Sequence, residues 1–229
     1  SKLTKKGMGL MLHSPSLSER MTEEIGYSEA VPYPYEMSFM KTPNILDRLQ
    51  LREHYSIPME ARVLLCFGET RHDKGSLRAI RILSDLPDCY YLLFAGKEGN
   101  VMKRSLLEYA KTFNVSDRVI LNLSFIPDSK VNDYFLAADL LLLPYDSNFC
   151  GQSGPLVIAG SLGLPIVSSA GIVLKETIEE FGLGVAVEID SDQCIVEAIK
   201  NVPQSIPKQH TQHFINKHSQ SEFASRVIR

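Results

Sequence analysis

The chain has 229 residues, 44% of them hydrophobic and 22% charged, with a formal net charge of −3. That length suits one large domain or one domain with an appendage, and the composition is that of an ordinary globular chain. A mildly acidic balance argues against broad binding to nucleic acid or an anionic membrane, so any attraction for phosphate has to be local.

Along the chain, the polar opening residues Ser1-Lys2-Leu3-Thr4-Lys5-Lys6 do not read as a signal peptide. Residues 9–13 read as a strand, and Ser16-Leu17-Ser18-Glu19 as a capping box that opens a short helix. Pro32 and Pro34 make 30–35 an extended stretch suited to an edge or linker, and 37–43 reads as loop. From Arg62 the pattern becomes regular. Val63-Leu64-Leu65-Cys66-Phe67 is an apolar run of strand length, followed by helical spacing over 77–83. A strand over 90–95 ends at Gly96, and an amphipathic helix covers 101–113. Next come a strand over 119–123, a helix from Asp128 to about Ala138, and a strand over 140–143. A helix over 154–162, short strands at 165–167 and 184–187, and a helix over 192–201 complete the series.

Strands apolar on both faces, alternating with helices, imply a parallel sheet covered on both sides. The predicted fold is therefore α/β, a Rossmann-like parallel sheet with helices on both faces. It occupies 44–229 and ends in a C-terminal helix, while 1–43 reads as a remnant of a preceding domain plus linker. The longest apolar runs, 90–95 and 140–144, are far too short to cross a bilayer.

Four cysteines, Cys66, Cys89, Cys150 and Cys194, lie far apart and form no CxxC. Three sit in or beside apolar stretches, which predicts buried thiols in a reducing, cytoplasmic setting. The histidines, His13, His54, His72, His210, His213 and His218, show no metal-ligand spacing with acidic partners on one predicted face.

Chemistry concentrates in two glycine-punctuated turns. One is Phe67-Gly68-Glu69-Thr70-Arg71-His72-Asp73-Lys74-Gly75; the other is Cys150-Gly151-Gln152-Ser153-Gly154-Pro155. Each follows an apolar strand and opens a helix, at the carboxyl edge of the sheet where such folds bind ligands. Backbone N–H groups at a helix start face an anion, and Arg71 and Lys74 add charge-assisted hydrogen bonds of roughly 1.5–3 kcal/mol each. The bland alternative is a solvated cationic pair balanced by Glu69 and Asp73, beside a well-capped helix in which Ser153 or Gly154 caps and Pro155 fills the first turn. Taken together, the two turns read as one site for a nucleoside diphosphate, most simply a nucleotide-sugar.

From Arg62 onward the chain resembles the C-terminal, donor-binding domain of retaining glycosyltransferases of the GT-B fold (the glycosyl transferases group 1 type). The matching blocks are Phe67-Gly68 with Arg71 and Lys74-Gly75; Phe94-Ala95-Gly96; Ser124-Phe125-Ile126-Pro127-Asp128; Ala137-Ala138-Asp139-Leu140 through Leu143-Pro144-Tyr145; Gln152-Ser153-Gly154; and Gly163-Leu164-Pro165-Ile166-Val167. The resemblance implies that Arg71 and Lys74 hold a UDP- or GDP-linked donor's diphosphate, aided by the amides of Ser153 and Gly154. It places Gly68, Gly96, Lys97 and Gln152 near the nucleotide and brings the base against the backbone of Ile126. It implies no metal and no further cofactor.

Two departures qualify it. The family often carries a pair of glutamates, one near the donor sugar and one on the ribose, and the corresponding positions hold Cys150 and Ile158. Neither accepts hydrogen bonds as a carboxylate does, so no catalytic residue is assigned. Glu176 aligns with an acidic position further on, and its alternative is a surface carboxylate at a helix start. The second departure is length, because a complete enzyme of this type has two Rossmann-like halves and this chain matches the second. Residues before about Pro43 resemble the last strand, helix and linker of the first, with His13-Ser14 at the end of that strand. The implied partners are a nucleotide-sugar and an acceptor-binding first half, in cis or in trans, through which peripheral membrane association would arise. Rival readings are a catalytically degenerate binding or stabilising subunit and a sugar-nucleotide epimerase. A nicotinamide-dependent enzyme is disfavoured, since the first turn has no GxGxxG.

Overall fold

A computed structural model of the chain describes residues 10–26, 28–31, 34, 45–147, 149, 151–169, 171–188 and 191–227. Expectations that fall on Gly9, Pro32, Tyr33, Tyr35, residues 37–43 and Cys150 lie outside the described residues.

The apolar runs become the strands of one parallel sheet: β3 (Arg62–Phe67), β4 (Tyr90–Ala95), β5 (Val119–Asn122), β6 (Leu140–Leu143), β7 (Ile166–Ser169) and β8 (Gly184–Val187). Their order is β5-β4-β3-β6-β7-β8. Alternate side chains of each strand enter opposite layers, as the pleat requires. Leu64, Leu92 and Leu142 pack under α3 (Ser76–Ser84), α4 (Lys103–Thr112) and α8 (Asp192–Asn201), with Ile80, Leu106 and Ile195. Leu65, Leu93 and Leu143 face the other layer, made by α5 (Asp128–Ala137), α6 (Gly154–Leu162), α7 (Ile172–Phe181) and α9 (Lys208–Lys217) through Phe135, Leu156, Ile178 and Phe214. Burial on both faces is why these strands read as unbroken apolar runs, and the half-buried edge strands β5 and β8 are the weaker signals.

Strand order reverses between β3 and β6, so the loops leaving these two neighbours part to opposite faces and open a crevice at their carboxyl ends. Both glycine turns leave from there.

Three helices depart from the sequence reading. The segment before the sheet contains α2 (Ile45–His54), which the pattern did not announce. Its anchors are polar: Arg48 and Arg52 reach Asp139 at 2.7 and 2.6 Å, and Asp139 also accepts from the Val63 amide at 2.7 Å. Arg52 is 1% exposed and donates to the carbonyls of Ala137, Met59 and Ala61. The helix α7 was also unread, although Gly171 and Gly182 bracket it. The early capping box is displaced. The helix α1 (Pro15–Ile25) is capped by Ser14, whose Oγ accepts from the Leu17 amide, with Pro15 in the first turn, so Ser16 lies inside the helix. This helix joins β1 (Leu10–Leu12) to β2 (Ser28–Ala30) in a separate two-stranded parallel sheet. A last helix, α10 (Gln220–Val227), ends the described chain.

The expectation of buried thiols fails for two cysteines. Cys89 and Cys194 are exposed, because they occupy a turn before β4 and the first turn of α8, while Cys66 in β3 is half-buried. Among the described residues, no helix is long and apolar enough to cross a membrane.

Candidate functional site at the strand crossover

The first turn is built by interlocking backbone rather than by its glycines' flexibility alone. Gly96 has φ +141°, and a Cβ there would lie 2.3 Å from the Gly68 carbonyl oxygen. Gly75 has φ +65°, and a Cβ would lie 1.9 Å from the Pro144 oxygen. Only glycine lets the loop after β3 lie this close to those after β4 and β6. Thr70 secures the same loop: its amide donates to Lys97 O at 3.1 Å and its hydroxyl to Val101 O at 2.7 Å. The Ser76 hydroxyl accepts from the Arg71 amide and donates to the Arg71 carbonyl, closing the turn onto α3.

The two cations are in different states. Arg71 forms a two-pronged pair with Asp73, through Nε to Oδ1 at 2.8 Å and Nη2 to Oδ2. Lys74 meets no carboxylate at ion-pair distance among the described residues, and its Nζ lies over Gly68. Burial, reinforced by Arg71, lowers its pKa from the usual lysine value. A partly buried ammonium left without a partner carries a desolvation cost that an incoming anion would relieve. Lys74 lines a cavity of about 20 Å³, room for about one water, with Gly68, Thr70, Ser76 and Tyr145.

The second turn stands beside the first. Ser153 is the cap of α6, its Oγ accepting from the Leu156 amide, and Pro155 fills the first turn. Tyr145, which follows β6, places its hydroxyl 3.2 Å from Ser153 Oγ, and the Asp146 amide donates to the Asp73 carbonyl at 3.0 Å. The first turn is thus bonded to the loop after β6, which Tyr145 ties to the second turn. The side-chain amide of Gln152 donates to His13 O at 2.9 Å and ties the turn to the amino-terminal unit.

Towards β4 and β5, the side chain of Ile126 is buried in the core, so its backbone is what it offers a ligand. Phe125 is 68% exposed, and Lys97 stands over its ring with Nζ 5.2 Å from the centroid. Sequence reading passed over Phe125 as part of a matching block; an aromatic between a strand end and Ile126-Pro127 was the available signal. Glu176 is not a free carboxylate at a helix start, and it lines a pocket with His13 and with Gln152 of the second turn. It lies midway along α7 and accepts from Ser14 Oγ at 2.7 Å and from Ser16 Oγ. Ile158, at the second glutamate position, packs against the core. Among the described residues, no group of three or more His, Cys, Asp or Glu is placed to hold a metal ion.

A six-stranded parallel sheet in this order, covered on both faces and carrying its loops at the crossover, is a Rossmann-like half of a GT-B fold. Residues 47–217 match the family model for glycosyl transferases group 1, and the chain belongs to that family. No curated protein sequence matches it. Among solved structures it is similar to sucrose-phosphate synthase (tll1590) from Thermosynechococcus elongatus, with TM-score 0.79 and 17% identity, over 96% of this chain and 56% of that one. It is also similar to Anabaena Alr3699/HepE in complex with UDP, with TM-score 0.81 and 15% identity, over 95% and 62%. The C-terminal domain of the group 1 glycosyl transferase LpcC from Francisella tularensis matches with TM-score 0.56 and 16% identity, over 86% of this chain and 94% of that domain. The chain therefore spans less than two thirds of the first two.

Proposed function

We propose that the chain is the donor-binding half of a retaining, nucleotide-sugar-dependent glycosyltransferase. The donor's diphosphate lies across the two turns, held by Arg71, Lys74 and the amides of Ser153 and Gly154. Its base lies towards Gly68, Gly96, Lys97 and Ile126, with Phe125 as a stacking face. The observation that carries this reading is the placing of both turns at the β3–β6 crossover, beside a Lys74 ammonium that meets no carboxylate at ion-pair distance among the described residues. Family membership supports it, and so does the solved relative's UDP complex.

In the reaction, the bond from the anomeric carbon to the donor's phosphate oxygen breaks, the acceptor hydroxyl's oxygen takes its place, and that hydroxyl's proton passes to the departing diphosphate or to water. The departing diphosphate gains negative charge, which Arg71, Lys74 and the helix amides stabilise without reorganising. A first half, in cis or in trans, brings the saccharide or lipid-linked acceptor. The setting consistent with such donors is the cytoplasm, with membrane association only through that half.

Calorimetric titration with UDP, GDP and ADP tests the reading. One nucleotide is expected to bind, with the Arg71→Ala, Lys74→Ala double variant about a hundredfold weaker from the loss of two charge-assisted contacts. Equal affinity in the variant would sink the proposal. A second reading, a degenerate binding subunit, is favoured by the core packing of Ile158. It requires that the assembly with its first half show no donor turnover attributable to this chain.

A further inference from the structure

The second turn has fewer N–H donors than a helix start normally provides. Pro155 has none and the Leu156 amide already donates to Ser153 Oγ, which leaves only the amides of Ser153 and Gly154. Two hydroxyls stand in the gap. Tyr145 is 4% exposed and Ser153 2% exposed, and their oxygens are 3.2 Å apart. Each carries one hydrogen, and their mutual bond uses one of the two. Since Ser153 Oγ also accepts from Leu156, the second hydrogen has no acceptor among the described residues.

Tyr145 is itself fixed from several sides. Its carbonyl accepts from the Ser169 hydroxyl, its ring lies 4.3 Å from that of Phe149, and it lines the cavity that Lys74 borders. Burial pushes the phenol's pKa up, so it keeps its proton.

We propose that Tyr145 is a positioning residue for the diphosphate. Through its bond to Ser153 it fixes the start of α6 against the Arg71–Lys74 loop, and the pair presents its remaining hydroxyl hydrogen to a phosphate oxygen. This inference rests on the donor-binding reading above.

The test measures the affinity of wild type, Tyr145→Phe, Ser153→Ala and the double variant for inorganic pyrophosphate and for whichever of UDP, GDP and ADP wild type binds. Tyr145→Phe keeps the ring and is expected to weaken both ligands about tenfold while lowering the melting temperature by no more than the few degrees that one hydrogen bond is worth. Ser153→Ala is expected to lose about as much, and the double variant no more than either, because the two hydroxyls act as one unit. Ser153→Ala probes the pair from its other side should the phenylalanine variant fold poorly. Wild-type affinity in Tyr145→Phe, or losses that simply add, would overturn the inference while leaving the donor site standing. Failure of wild type to bind any of these ligands would overturn both.

Discussion

Lys74 is where the demands of stability and binding separate most clearly. Its ammonium is partly buried, unpaired among the described residues and held below the usual lysine pKa by burial and by Arg71. An apolar side chain of similar length removes that desolvation cost, so Lys74→Met is expected to raise the melting temperature by about 2–4 °C. The same change is expected to weaken nucleotide binding about tenfold, a trade of stability for function that calorimetry and a thermal melt check together. The depressed pKa also sets a pH dependence. Only the protonated lysine attracts a diphosphate, so affinity is expected to fall as pH rises through Lys74's folded pKa, below where an ordinary lysine titrates. A profile flat into the ordinary lysine range would contradict this. The amino-acid pattern exposed the cations and the glycines but not their states. Nothing in Arg71-His72-Asp73-Lys74 says that Arg71 closes on Asp73 and Lys74 does not, because loop geometry decides it.

At the scale of elements, what was legible follows from burial. Strands covered on both faces must be continuously apolar, so β3, β4 and β6 stand out in the sequence, and Gly163 and Ser153 bound α6 as its caps. The helix α2 was illegible for the opposite reason, since Arg48 and Arg52 anchor it by charge to Asp139 as much as by apolar packing. Burial works against the charge on Asp139, but the Val63 amide and the two guanidinium groups outweigh it and hold the carboxyl below its usual range. Asp139→Ala leaves Arg52 buried without its counter-charge and is expected to cost about 3–5 kcal/mol in denaturant unfolding. A folded pKa below the unfolded value of about 3.9 has a definite sign. The stabilisation is complete above the unfolded value and is lost as pH falls through the folded one. Wild type is therefore expected to lose melting temperature more steeply over that acid window than Asp139→Asn. Parallel acid limbs would contradict the account.

For the molecule as a whole, the amino-terminal β1–α1–β2 unit has its own small sheet and is attached to the larger one by side chains. Ser14 and Ser16 meet Glu176 on α7, and Gln152 holds the His13 carbonyl beside the second turn. Sequence spacing could not reveal these contacts, which join positions more than a hundred residues apart. Glu176→Ala is expected to speed amide hydrogen exchange over 10–31 without changing that of β3, β4 and β6. Unchanged exchange in the amino-terminal unit would show that the carboxylate does not hold it.

The measurement that bears most directly on the central claim is an amide-resolved NMR titration with the nucleoside diphosphate that binds. If one diphosphate bridges the two turns, the amides of Gly68 and Gly75 and those of Ser153 and Gly154 shift together, with a single midpoint. Shifts confined to one turn, or two different midpoints, would contradict the single site at the β3–β6 crossover.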